Sequence, residues 1–212
     1  MNLQTRWPLA YRPLTIATCI GLMALDANAQ NNSAERFNKI ANSGLVIPPS
    51  APLGDGLSEW ACTLDTASGL MWETKSASAS HLRYAQHRYT WFDASTGSGA
   101  TGNPLTCSNA LGVQPCNTET YAAAVNASRL CGFNDWRMPT LSELQSILDT
   151  GYIAPAVNPD YFPNALSDFY WTGSPYANST TQAWYVHFGT AFSYGNASRS
   201  SNRYVRLVRG DE

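Results

Sequence analysis

The sequence predicts an α+β domain in which two helices precede an antiparallel β-sheet, stapled by two disulfides. Three observations carry this expectation. Two capped helical stretches lie between Asn117 and Gly151, the second opened by a capping box, Thr140-x-x-Glu143. After them come four short runs rich in β-branched and aromatic residues, YWTGS, AWYVHFG, AFSYG and YVRLVR, separated by Gly, Asn and Ser. Four cysteines, Cys62, Cys107, Cys116 and Cys131, lie beyond a leader-like N-terminus, and an even number in an exported chain reads as two disulfides.

The N-terminus reads as an address. Arg6 and Arg12 make a basic start, Leu14 to Leu25 an apolar run, and Ala27-Asn28-Ala29 a small-residue cleavage site, so residues 1–29 are expected to be a signal peptide. The apolar run, about a dozen residues, is too short to span a bilayer as a helix, and no other stretch is apolar enough. Without residues 1–29, Lys+Arg falls from 13 to 11 and Asp+Glu from 15 to 14, leaving a net charge of −3. Such a chain lacks the basic face that neutralises phosphates, so no nucleic-acid partner is expected. The rest, roughly 180 residues, suits one domain with a sizeable core.

Residues 30–58 are polar, then rich in Pro and Gly (LVIPPSAPLGDG), and are expected to form a linker or arm; the domain itself is expected over residues 59–212. WACTLDTASGLMWE reads as a hairpin whose two apolar runs are separated by the turn residues Asp65 to Gly69. Next comes a long polar stretch, Thr74 to Cys116. Its run TGSGATGN lacks the Gly-Lys-Ser/Thr ending of a phosphate loop and reads as a flexible surface loop. Cys107 and Cys116 bracket a short loop with Gly112 and Pro115, which pairs them and leaves Cys62 with Cys131. No Cys-x-x-Cys is present, which argues against a metal site at these cysteines.

Asn117 or Thr118 is expected to cap a first helix that runs to about Leu130, with Glu119 in its first turn and Gly132 as its stop. In the second helix Leu141, Leu144, Ile147 and Leu148 repeat at helical spacing, and its end is expected near Thr150-Gly151. In AWYVHF, Trp184, Val186 and Phe188 alternate with Tyr185 and His187, so the first set is expected inward and the second outward.

Catalytic chemistry finds no foothold. There is no Gly-x-Ser-x-Gly elbow, and the disulfides would consume the thiols. His81 and His87 read as exposed loop histidines, and His187 has a strand position but no partner for catalysis. Glu143 is explained by capping, and Asp160 and Asp168 sit in turns. No Asp-x-Asp-x-Asp-Gly spacing suggests calcium, so neither cofactor nor metal is expected, and the protein is read as a non-enzyme. The C-terminal third instead mixes aromatics with Asn, Ser and arginines, including Arg206 and Arg209. Flat rings stack on sugars, and guanidinium and amide groups bind hydroxyls, carboxylates or sulfates. Trp184, Tyr185, His187, Tyr194, Asn196, Arg199 and Arg203 are therefore the candidate ligand contacts.

GLMWE, YTW, CNTETYAAAVN, LCGFNDWRMPTLSELQSI, AVNPDYFPN, YWTGSPYA, AWYVHF and the closing YVRLVRG together resemble the DUF1566 family, also called the Lcl C-terminal domain family after a collagen-like bacterial adhesin. The resemblance covers about Cys62 to Gly210, and the Asp-Trp-Arg-x-Pro-Thr-x-x-Glu-Leu run is its most specific part. It implies a C-type-lectin-like fold, exported or cell-surface relatives and, through the adhesin, binding of sulfated glycans. The Glu-Pro-Asn and Trp-Asn-Asp motifs of calcium-dependent lectins are absent, and no cysteine follows Cys131 as it would in the formylglycine-generating oxidases. Within this resemblance, Asp135-Trp136-Arg137 is expected to pin the fold. Trp136 would enter the core, Asp135 and Arg137 would bond backbone or each other, and Pro139 would stop the segment so that Thr140 and Glu143 can cap.

Two functions follow as expectations: an exported module that recognises a glycan or protein through its C-terminal loops, or a structural subunit of a cell-surface assembly, joined to further copies through that face or the N-terminal arm.

Overall fold

A computed structural model describes residues 36–107 and 113–210 of the chain; the expected signal peptide lies outside the described residues. In chain order the strands are β1 (Phe37–Ala41), β2 (Val46–Ile47), β3 (Trp60–Asp65), β4 (Met71–Glu73), β5 (Phe92–Asp93) and β6 (Ser98–Gly99). Two helices follow, α1 (Thr118–Ala127) and α2 (Leu141–Ser146), and then β7 (Phe169–Pro175), β8 (Gln182–His187), β9 (Phe192–Ser198) and β10 (Val208–Arg209). They form a five-stranded sheet in the order β10-β4-β3-β1-β2, a ribbon β5-β6 and a three-stranded sheet β7-β8-β9, all with antiparallel pairing. The chain is thus α+β, as expected, and both disulfides, Cys62–Cys131 and Cys107–Cys116, pair as expected.

The N-terminal segment departs from the expectation. Residues 36–47 were read as part of a linker, yet β1 lies inside the sheet, its Phe37, Ile40 and Ala41 buried and Ile40 paired with Cys62. Arg36 closes the same edge by an ion pair at 2.6 Å with the fully buried Asp65. Only pairing with β3, far along the chain, gives this short polar-flanked run a reason to be a strand, and local pattern does not show such pairing.

Both helices carry the expected caps and both stop early. Asn117 Oδ1 accepts from the Thr120 backbone N–H at 2.9 Å, and Thr140 Oγ1 from that of Glu143 at 3.2 Å. α1 gives way after Ala127 because Arg129 and Cys131 take left-handed backbone (φ 53° for each), which turns Cys131 onto Cys62. α2 ends at Ser146, where the chain peels away so that Asp149 N–H can reach Ala156 O at 2.9 Å. The glycine-rich run lies on the surface as expected, with Gly97 in open space, but its far end is fixed. A Cβ on Gly102 would lie 2.7 Å from the Cys116 carbonyl, so the chain packs tightly against Cys116 at this residue, with a φ of 105° that favours glycine.

Two apolar cores flank the three-stranded sheet. Trp91, Trp136, Trp171 and Tyr121 belong to one, Trp72, Leu144, Tyr170 and Phe188 to the other, so neighbouring residues of β7 feed opposite cores. Between the sheets lies a buried charge network. Glu73 accepts from Tyr121 Oη at 2.6 Å and Leu207 N–H at 2.8 Å and pairs with Lys75 at 2.6 Å, while Arg206 donates to the Glu73 carbonyl at 2.7 Å. Paired in this way, charges can sit in the interior without the several kcal/mol cost of an isolated ion.

Candidate functional site

The register of the three-stranded sheet builds an aromatic staircase. Trp171, Tyr185 and Tyr194 are cross-strand neighbours, as are Phe169, His187 and Phe192, and opposed residues share a face. Exposure climbs along each row: Trp171 is sealed, Tyr185 is 9% exposed and Tyr194 41%, and Phe192 reaches 64%. Tyr185 stacks on Tyr194 with ring centroids 5.4 Å apart, and Phe169 meets His187 at 4.4 Å. Tyr194 is therefore supported by the buried Tyr185 ring, while Phe192 ends a row whose inner members, Phe169 and His187, are half-buried.

Arg203 lies against this face. Its backbone is fixed by reciprocal hydrogen bonds with Tyr89, and its guanidinium sits 3.9 Å from the Tyr185 centroid, 4.7 Å from Phe169 and 5.1 Å from Trp171. Nε is buried without a hydrogen-bond partner among the described residues. Burial pushes the guanidinium pKa down, with Tyr185 and Asp168 acting in the opposite sense. Tyr185 Oη reaches Asn196 Oδ1 at 3.4 Å, and His187 Nδ1 accepts from the Gly189 and Thr190 N–H groups at 3.1 and 3.0 Å. That leaves Nε2 as the ring's remaining N–H.

Five of the seven candidate contacts, Tyr185, His187, Tyr194, Asn196 and Arg203, thus come together. Two do not. Trp184 points to the opposite face, edge-on to Tyr176 at 5.5 Å, and Tyr176 in turn lies where a Cβ on Gly195 would come within 2.3 Å. Arg199 is only 6% exposed, lies 4.1 Å over Trp91 and bonds Gln182 O and Ser98 Oγ, so it clamps the ribbon to the sheet. Tyr185 is also more buried than an outward strand position suggests, because Arg203 and Tyr194 cover it. Phe169 and Phe192 were missed. AFSYG does place Phe192 two residues before Tyr194, on the same side, which is the signal that would have found it.

The C-terminal arginines do not make one basic patch. Arg206 is wholly buried, and Arg209 pairs with Asp135 at 2.7 Å above the Phe133 ring. Arg137 bonds backbone as expected, at Met138 O and Gly210 O, while Asp135 pairs with Arg209 and not with Arg137, and that pair holds the Asp135 carboxyl below its usual range. Trp136 is in the core as expected, its Nε1 donating to Leu130 O at 3.1 Å. His81 and His87 are half-buried rather than exposed, and burial lowers the His87 pKa.

A cavity of about 580 Å³ lies elsewhere, between Trp91, α1 and the Trp136–Met138 segment. Its two free-standing acids have structural roles: Asp93 accepts from Ser95 and Thr96, and Glu119 sits in the first turn of α1. Among the described residues no three His, Cys, Asp or Glu side chains form a metal-ligand group, and no helix is long and apolar enough to cross a membrane.

Comparison with known proteins gives one match. The family model of the Lcl C-terminal domain (DUF1566) covers residues 61–209, more than two thirds of the chain. No curated protein and no solved structure matches. The match begins at Ala61, after β1, although β1 pairs along the whole of β3.

Proposed function

We propose that this chain, which belongs to the Lcl C-terminal domain family, is an exported, non-catalytic recognition module with a C-type-lectin-like domain. The observation that carries the reading is the staircase itself: exposed Tyr194 stacked on the buried Tyr185 ring, exposed Phe192 beside His187 in the next row, and the Arg203 cation over Tyr185 with no carboxylate bonded to it among the described residues. Rings of this kind stack on sugar faces, and a guanidinium adds one bond to a carboxylate or sulfate. The ligand favoured is a glycan bearing an isolated acidic group, because the other three C-terminal arginines, Arg199, Arg206 and Arg209, are engaged elsewhere. The two disulfides accord with an oxidising compartment. A glycan array with calcium and again with chelator tests the reading. Binding to acidic glycans should survive chelation and fall about tenfold in Tyr194→Ala.

A structural-subunit reading has one observation in its favour. Leu45, Val46 and Leu57, before, on and after the edge strand β2, are 68%, 63% and 76% exposed. Sedimentation would then show an oligomer at low micromolar concentration that Leu45→Ser with Val46→Ser dissolves.

A further inference from the structure

Away from the aromatic face, Asp55 stands between Gly54 and Gly56 on the segment joining β2 to β3. One of its carboxylate oxygens bonds the Arg83 guanidinium and the other His81 Nε2. The pair is lopsided: the Asp55 side chain is 45% exposed and that of Arg83 only 5%. Arg83 is held from behind, its Nη1 donating to Ala61 O at 3.1 Å and Thr74 Oγ1 at 2.8 Å, and its backbone N–H bonds His81 Nδ1 at 2.9 Å. The cationic half therefore belongs to the core, whereas the carboxylate arrives from a surface segment. Two cavities border this contact. One, about 350 Å³, is lined by Asn42, Ser80 and Ser128, and the other, about 420 Å³, by Ser76, Ser78 and Asn164. Asp55, His81 and Arg83 line both, so the Asp55 carboxylate is part of the wall between them.

We propose that Arg83 and His81 form a carboxylate-binding site in which Asp55 is a built-in occupant on a displaceable strap, and that a small hydroxyl-bearing carboxylate takes its place. Swapping one carboxylate for another keeps the buried guanidinium paired, which an empty site would not. Asn42, Ser128 and Asn164 already bond backbone groups, but the Ser76, Ser78 and Ser80 hydroxyls, which bond within their own segment, keep capacity for the ligand's own hydroxyls. Lys75 also lines the larger cavity, but its ammonium is engaged by Glu73 and Tyr121. Displacing the strap requires loss of two backbone ties, Asn42 Nδ2 to Asp55 O at 2.8 Å and Gly54 N–H to Trp60 O at 3.1 Å.

Acetate is the probe. Asp55→Ala, and Asp55→Ser in case the first variant folds poorly, should melt below the parent protein. Acetate at about ten times its dissociation constant should raise their melting temperature by about 3 °C, saturably, and sodium chloride of equal ionic strength should not. In the unaltered protein, acetate should speed hydrogen exchange at Gly54, whose N–H loses Trp60 O, severalfold. Equal responses to acetate and chloride in the variants would overturn the site. Rescue of the variants with unchanged exchange in the parent would overturn the displaceable strap.

Discussion

Arg137 grips Glu143 with both arms of its guanidinium, Nη1 to Oε2 at 2.8 Å and Nη2 to Oε1 at 2.7 Å. Glu143 Oε2 also accepts from the Thr140 N–H at 2.7 Å, completing the α2 capping box, and Arg137 reaches Gly210 O at 3.2 Å. One carboxylate thereby ties the Asp-Trp-Arg segment, the start of α2 and the end of the last strand together. The most distinctive run in the sequence thus holds the fold together, and the proposed recognition surface is built from other residues, between 169 and 203.

Arg137→Ala should therefore lower stability by about 1–3 kcal/mol, the range for a partly exposed bidentate pair, without altering ligand binding. Burial raises the Glu143 pKa, but the bonds from Arg137 and Thr140 outweigh it and the net shift is downward. A carboxylate depressed on folding stabilises above its unfolded pKa, and that stability is lost as pH falls through the folded value. Thermal melts of parent and variant should accordingly differ at about pH 7 and converge near pH 3.

Alkaline pH probes the buried network. Burial pushes the Lys75 ammonium down to about 8 against the pull of Glu73, so from there to 10.5 the unfolded chain holds more protons and stability rises with pH. Burial pushes Tyr170 up to about 12 and Tyr89 and Tyr121 also upward, so above about 10 the folded state keeps protons that the unfolded chain sheds, and stability falls. Denaturant melts should show greater stability near pH 9 than at pH 7 or pH 11. A monotonic decline would contradict the burial of Lys75 as a charged group.

The two disulfides should differ in worth. Cys62–Cys131 closes 69 residues and Cys107–Cys116 only 9, which chain entropy converts to about 4 and about 3 kcal/mol. Replacing the first pair with serines should cost more than replacing the second, as read from urea midpoints.

Arg199 and Tyr194, once grouped as ligand contacts, should separate. Arg199→Ala removes a buried cation from Trp91 and should cost about 1–2 kcal/mol of stability. Tyr194→Ala should change stability by less than about 1 kcal/mol, because the ring is 41% exposed, and should weaken binding.

What the sequence revealed was local chemistry. The caps at Asn117 and Thr140, the turn from Asp65 to Gly69 and the short cysteine loop are written in neighbouring residues, and each lies where it was read. Long-range pairing was hidden: β1 is a strand only because β3 lies beside it. The site was half legible for the same reason. Alternation places Tyr185 and His187 on one face, but Tyr194 joins them through the β8–β9 register, and which arginine crosses that face depends on the Arg203–Tyr89 pairing, 114 positions apart in the chain.

The most direct test of recognition through the staircase is the glycan array with calcium and with chelator, run in parallel on the parent protein and Phe192→Ala with Tyr194→Ala. The staircase predicts binding to acidic glycans that persists in chelator, weakens only modestly with salt as befits a single arginine, and disappears in the double variant. A blank array under both conditions, or binding unchanged by the double variant, would contradict it.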